Sequence, residues 1–495
     1  MHRRDSIALL RTTAVVVVCA ADVAAQPPPG LEARVDSIAS TYVRLARQHQ
    51  AAIWPGFRAD SIPVALVFAQ GTFLFNWSGA LPAGFQPSPV AGSGWRDSAS
   101  ASAASTGIRI DGRGVAQVVV RDMDPAEIIA TALHEAFHVF QGASRREGQR
   151  FGTGENSFHV ATYPVFDATH EALFALEGRI LADALTARSR VSRLDLARQF
   201  VATRRERLRR LATEFAEFDR ASEMNEGLAE YVLVRALDLL AADPEVPAAW
   251  RAAASRKLEA LPEQLRNLTA DSGLSFRLRY YHTGPAIARL LDALRPDWKA
   301  RFVGDNLWLE DVLADATGID DAHRAAFRSA VARFDSAATA RQAAANIASL
   351  QQRRRRQVDS IMGAPGIVLV VRADSLPTRN FNLCGLDPQN LLQVTERIRL
   401  QTRWWRPCSG GPTYVDLNVP SVHDAEHGTL TAVIGGDDQV TVTAGGVAVP
   451  LPQPGETLRD LGTFKLSAPG VTVEAARADV TRSGRTLTVW PKRAP

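Results

Sequence analysis

The chain has 495 residues, 46% of them hydrophobic and 22% charged, an ordinary globular composition with length for roughly two to four folding units. Its 57 basic and 53 acidic residues leave a net charge of +4 with histidine neutral, too thinly spread for a nucleic-acid footprint. Three cysteines exclude a disulfide-dense scaffold and a four-cysteine zinc module.

Residues 1–25 read as a secretory signal. His2, Arg3 and Arg4 precede the apolar run Thr13–Ala21, and Val23-Ala24-Ala25 offers a small-residue cleavage site. The run is too short for a stable membrane span, and Asp22 follows it directly. An exported protein, periplasmic or extracellular, is the expectation. Cys19 falls inside the signal, which leaves Cys384 and Cys408; in an oxidising compartment they read most simply as one disulfide, the alternative being two buried thiols.

Apolar residues at helical spacing run through Leu31–Gln50. Strand patterns follow at Ile62–Gln70 and Thr72–Trp77, joined as a hairpin at Gly71. The Ser-, Ala-, Gly- and Pro-rich stretch Gly79–Thr106 reads as a mobile surface loop, and Gly114–Arg121 as a further strand. Asp124-Pro125 is a helix start, with Glu127 in the first turn. Helices are predicted around 166–188, 193–218, 222–242, 248–268, 283–294 and 321–350, and the run Arg353–Arg356 reads as a solvated helix face or interdomain surface. From Pro365 the pattern changes to short β-branched runs, Ile367–Val371, Thr429–Ile434, Gln439–Thr443, Val471–Ala475 and Thr486–Trp490. The expected fold is α+β: a unit with a small sheet and a mostly helical region over 26–350, a basic helical linker over 351–364, and an all-β sandwich or barrel over 365–495.

His134-Glu135-Ala136-Phe137-His138 is a HExxH motif. On a helix its histidines share one face and can grip one zinc ion, while Glu135 projects toward bound water as a general base. A catalytic zinc needs a third protein ligand and an open position. Glu171, Glu177, Glu226 and Glu230 are the candidates. Glu226 in Asn225-Glu226-Gly227-Leu228-Ala229-Glu230-Tyr231 is favoured, because Glu230 lies one turn on and can orient a ligand histidine; Glu177 is the runner-up.

HEAFH followed by NEGLAEY resembles the gluzincin zinc metallopeptidases, the clan of thermolysin and the aminopeptidase-N-like enzymes. The resemblance implies a zincin-like catalytic domain, one zinc ion held by His134, His138 and Glu226, Glu230 beside a ligand histidine, and a peptide or protein substrate. Tyr280-Tyr281-His282-Thr283-Gly284 is similar to the family segment whose tyrosine supports the oxyanion, which implies that role for Tyr281, with His282 as fallback. Two departures stand out. Glu226 follows His138 by 88 residues, far beyond the family's spacing, so that 142–221 is expected to form an inserted helical unit. The segment that binds a free amino terminus in the aminopeptidases has no counterpart, and Gly114–Arg121 remains as a candidate edge strand for an extended peptide.

Three other features carry less. His423-Asp424-Ala425-Glu426-His427 has the inverted motif's spacing but sits in a β-rich context, so it reads as a polar loop. His170-Glu171 reads as helix surface. Trp404-Trp405 beside Cys408 reads as core packing or as an aromatic platform. The rival functional class is a non-catalytic exported binding protein acting through its β unit.

Overall fold

The computed structural model describes residues 27, 30–88, 90, 92–97, 104–269, 276–319, 323–374, 376, 378–408 and 413–493; the expected signal segment 1–25 and Cys19 lie outside them. The architecture is mixed α/β, with a small sheet and a helical body first and a β region last. No helix among the described residues is long and apolar enough to cross a membrane.

Helix α1 (Leu31–Ile53) buries Val35, Ile38, Tyr42, Leu45 and Ala46, positions three and four apart, and Tyr42 meets Phe75 of the sheet edge-on. That sheet comprises β1 (Val64–Phe68), β2 (Gly71–Phe75), β3 (Gln86–Pro87), β4 (Gly94–Arg96), β5 (Thr106–Ile110) and β6 (Arg113–Val119), in the order β3-β4-β2-β1-β6-β5. The stretch Gly79–Thr106 is therefore not wholly a surface loop. It supplies β3 and β4, and Trp95 is buried with its ring 4.6 Å from that of Phe73. Strand β6 lies between β1 and β5, so the edge is β5 and not Gly114–Arg121 as expected.

Helix α2 (Pro125–Ala143) starts where the sequence predicts: the Asp124 carboxylate accepts from Glu127 N at 2.9 Å and Pro125 occupies the first turn. The helical body continues with α3 (Ala168–Thr186), α4 (Arg190–Leu208), α5 (Thr213–Ser222), α6 (Leu228–Ala242), α7 (Ala248–Arg266) and α8 (Tyr280–Leu294). After it come α9 (Trp298–Gly304), α10 (Leu309–Thr317), α11 (His323–Arg333) and α12 (Ser336–Met362). Three expected helices change shape. The 193–218 helix breaks into α4 and α5, and the 321–350 helix breaks at Asp335, whose left-handed backbone lets its carboxylate cap Ala338 N at 3.0 Å. The 222–242 helix begins with one wide π turn, Glu223–Gly227.

Helix α12 runs on through Arg353–Arg356. Arg355 and Arg356 are exposed as expected of a solvated face, while Arg354 donates to the carbonyl of Gln393 in the β region. That region holds β7 (Ile367–Arg372), β8 (Asn382–Leu386), β9 (Leu391–Gln393), β10 (Ile398–Gln401), β11 (Trp405–Cys408), β12 (Tyr414–Leu417) and β13 (Ser421–Asp424). It continues with β14 (Thr429–Ile434), β15 (Thr441–Ala444), β16 (Val447–Val449), β17 (Thr457–Ala468), β18 (Val471–Ser483) and β19 (Thr486–Lys492). These strands form one hydrogen-bonded system around their own apolar core, with β18 shared between β17, β19 and β12. Cys384 and Cys408 are disulfide-bonded and tie β8 to β11. Polar contacts pin this region to the helical body: buried Gln393 donates to Val160 O and Tyr163 O, both at 2.9 Å, and Arg399 donates to Ala161 O at 2.7 Å.

His423 and His427 do not converge. His423 is buried in β13, its Nε2 3.0 Å from Asn380 Oδ1, whereas exposed His427 pairs with Asp424. The expected loop is thus half strand, half turn. His170-Glu171 is likewise not surface: His170 is buried against the Tyr163 hydroxyl at 2.9 Å, and Glu171 against Arg279 at 2.7 Å.

Candidate metal centre

Helix α2 packs one face on β6 and another on α6. His134 and Glu135 are buried there, and His138 follows one turn later on the face toward the π turn. Glu226 comes from that turn, with its Oε2 3.2 Å from His138 Nε2 and 3.8 Å from His134 Nε2; the two Nε2 atoms are 3.1 Å apart. One ligand atom from each of these three residues lies within 4.8 Å of the other two. Donors bound to one tetrahedral ion at about 2.0–2.2 Å stand a little over 3 Å from one another, so the set has the right span.

The other ring nitrogens decide what the cluster can hold. His138 Nδ1 lies 2.9 Å from Gln141 Oε1, and the Gln141 amide nitrogen is committed to Met224 O and Asn225 O, both at 3.1 Å, which fixes the oxygen toward the imidazole. His134 Nδ1 lies 3.1 Å from Glu230 Oε2, close but outside hydrogen-bond alignment. Both partners accept, so both Nδ1 atoms carry the hydrogen and both Nε2 atoms aim at the same point. Nitrogens 3.1 Å apart need a cation between them, which a metal ion supplies, or a proton on the His134 ring in its absence. The charges agree: Glu135, Glu155, Glu226 and Glu230 lie around the site, and the guanidinium of Arg277 donates to Glu226 Oε1 at 2.6 Å and also pairs with Glu155. The residues present fit a metal ion.

Ionisation follows from the same crowding. Burial alone would lower the His134 pKa, but the adjacent Glu230 carboxylate and the charges of Glu135 and Glu226 outweigh it and raise it to about 9. Burial pushes Glu226 up, yet His138, Arg277 and His134 hold it well below the ordinary carboxylate range. Glu135 is raised by burial, which the nearby histidines only partly oppose. Tyr281 is raised by burial and by the nearby charge of Glu226, so it stays protonated. Its ring stacks on His134 with centroids 5.9 Å apart.

Two glycines bring the segments together. Gly227 of the π turn and Gly284 of α8 touch backbone to backbone: a Cβ on Gly227 would lie 2.8 Å from Gly284 Cα and 3.0 Å from Tyr280 O. This contact sets Tyr281 beside Glu226. His282, the fallback donor, faces a different cavity, lined also by Glu127, Lys257 and Gln264. Glu177, the runner-up ligand, lies away from the site, fully buried with Arg204 and Arg207 at 2.7 Å each.

The inserted segment supports the turn. Arg204 of α4 donates to both Glu223 oxygens, at 2.8 and 3.1 Å, while gripping Glu177 of α3, and Thr283 of α8 also donates to Glu223. Arg207 joins Glu177 to Asp219, which in turn accepts from Tyr163 and Tyr280. Sequence reasoning missed Arg277, Glu155, Asn225 and Gln141. Only Gln141 had a local signal, three residues after His138 on the same helix.

The cluster opens into a cleft of about 920 Å³. One wall is the start of β5 at Ala104–Thr106; the opposite wall is the β region, through Leu386–Asn390 and Arg403-Trp404. Trp404 thus faces the cleft, while Trp405 is core, its Nε1 donating to Ser421. No protein family, curated protein or solved structure matches this chain.

Proposed function

We propose that this chain is an exported zinc-dependent hydrolase of zincin-like fold, acting on peptide bonds. The observation that carries the reading is the convergence of two Nε2 atoms and the Glu226 carboxylate beside Glu135, at the floor of an open cleft. His134, His138 and Glu226 would hold the ion, and zinc suits a nitrogen- and oxygen-donor set of three protein ligands. A bound zinc supplies Lewis-acid polarisation of a carbonyl and a more acidic water.

The chain's own residues supply the remainder. Glu135, buried and raised in pKa, takes a proton from the attacking water and returns it to the leaving amine. Tyr281 keeps its proton and can donate a hydrogen bond to the developing oxyanion. Glu230 and Gln141 hold the two imidazoles in one tautomer. Strand β5, a sheet edge among the described residues, begins at the cleft and suits pairing with an extended peptide. The disulfide between Cys384 and Cys408 is compatible with export.

Zinc stoichiometry and casein hydrolysis test the assignment together. The wild-type protein is expected to hold one zinc and cleave casein, and Glu135→Gln to keep the zinc and lose the cleavage. A zinc-loaded wild type that cleaves neither casein nor a peptide library overturns the peptidase reading.

A further inference from the structure

The far wall of the cleft is built differently from the floor. Its two segments, Leu386–Asn390 and Arg403-Trp404, lie at the ends of β8 and β11, whose pairing sets Trp405 opposite Leu386 and Arg406 opposite Gly385. The disulfide staples this pair from within, because Cys384 and Cys408 belong to the same two strands. Buried Gln393 and half-buried Arg399 fix the adjoining strands to the helical body. The wall is therefore held at a set height above the metal residues by a covalent bond and three hydrogen bonds.

What the wall presents is selective. The Trp404 indole is held by its Nε1 hydrogen bond to Asp416 at 2.9 Å, leaving its ring at the cleft. Asp387 commits its carboxylate inside its own turn, accepting from Gln389 N at 3.0 Å and Asn390 Nδ2 at 2.7 Å. Arg277, deeper in the cleft, is paired with both Glu155 and Glu226. Arg403 is different: it is exposed on the cleft, and its guanidinium has no ion-pair partner among the described residues. A fork of donors beside an aromatic face is the recognition chemistry for a carboxylate attached to a flat or apolar stem.

We propose that the C-terminal β region is the specificity wall of the cleft, and that Arg403 with Trp404 selects peptides presenting a carboxylate. The carboxylate can belong to an acidic side chain or to the chain terminus. This inference rests on the peptidase reading for its substrate class, but its test does not need turnover.

The experiment measures binding of matched peptides to full-length, zinc-loaded Glu135→Gln protein by calorimetry. The set pairs glutamate with glutamine, and a free-acid with an amidated terminus, so that the two sources separate. A charge-assisted contact of this kind predicts about tenfold tighter binding of the carboxylate member of one pair. Adding Arg403→Glu should abolish or invert that preference, and adding Trp404→Ala should weaken both members of the pair, with zinc content unchanged in each. Equal binding of acid and amide members, or a preference that survives Arg403→Glu, overturns the proposal. A preference that Arg403→Glu removes, in a wild type that cleaves nothing, supports the wall and overturns the peptidase reading alone.

Discussion

Gly284→Ala isolates how the metal residues are brought into register. The new methyl carbon would stand 2.8 Å from Gly227 C and 3.0 Å from Gly227 O, with Gly227 Cα nearer still. Apolar contacts settle near 3.5–4.0 Å, so α8 and the π turn must separate by about 1 Å. Alanine gains helix propensity over glycine, worth about 1 kcal/mol, but overpacking a close backbone contact costs about 1–3 kcal/mol, so the net change is destabilising. The larger effect is on the site, because Glu226 moves with Gly227 and Tyr281 with α8. Displacing outer partners of a metal site typically weakens it about 10–100-fold, which is the loss of zinc affinity expected here. Competition against a chromophoric chelator reads the affinity, and thermal unfolding reads the stability. Gly142→Ala is the control: Gly142 lies in α2, and a Cβ added there would meet nothing within 4 Å, so the variant should gain up to about 1 kcal/mol and keep its zinc. Wild-type zinc affinity together with a raised melting temperature in Gly284→Ala would refute the close-contact argument.

Arg204→Met leaves the buried Glu223 carboxylate without its guanidinium and Glu177 with Arg207 alone, which should cost about 3–5 kcal/mol; an unchanged melting temperature would show that the network is not what holds the turn. Replacing Cys384 and Cys408 together with serine should raise KM while zinc content stays at one, and zinc loss on that replacement would mean the disulfide supports the floor of the cleft and not its wall. His423 gives a pH dependence: burial, then the charge of Arg399, lower its pKa to about 4, so its stability contribution is complete above pH 6.5, falls as the unfolded chain takes up a proton below that, and stops changing below pH 4. The loss amounts to about 3 kcal/mol over that window, and wild type and His423→Gln should converge by it on acidification; parallel stability curves between pH 7 and 4 would exclude it.

What could be read from the sequence was whatever the local period dictates. His134 and His138 share a face because they sit one turn apart, Glu135 follows beside the first of them, and Asp124-Pro125 sets where that helix starts. Glu226 and Glu230 were legible for the same reason, and the structure brings both to the histidines. Strands β3 and β4 escaped because their segment is rich in Ser, Ala, Gly and Pro; Trp95 is held by Phe73, a contact no local pattern encodes. Arg277 and Arg403 were illegible because their positions come from tertiary packing, and an arginine in a chain carrying 57 basic residues gives no signal of its own. Trp404-Trp405 shows the limit of reading adjacent residues alike: strand alternation sends one ring to the core and the other to the cleft.

The 88-residue step from His138 to Glu226 makes physical sense through the π turn it supports. In a regular α-helix, residues three apart lie on one face, so Glu223 and Glu226 would point toward the same neighbours. The wider turn rotates them apart, and each then meets a different partner: Glu223 faces Arg204 and Thr283 in the interior, while Glu226 faces the histidines and Arg277. Such a turn is less favourable than continued α-helix and persists only where its surroundings over-determine it. Here they do so from four sides, through Arg204 of the insertion, Thr283 of α8, the Gly227–Gly284 contact and the Gln141 amide on two of the turn's carbonyls. A buried ion network of this kind adds little net stability, since apolar residues of similar volume would serve as well. Its use is positional: it fixes where one carboxylate must lie so that the next one along the turn reaches the metal site.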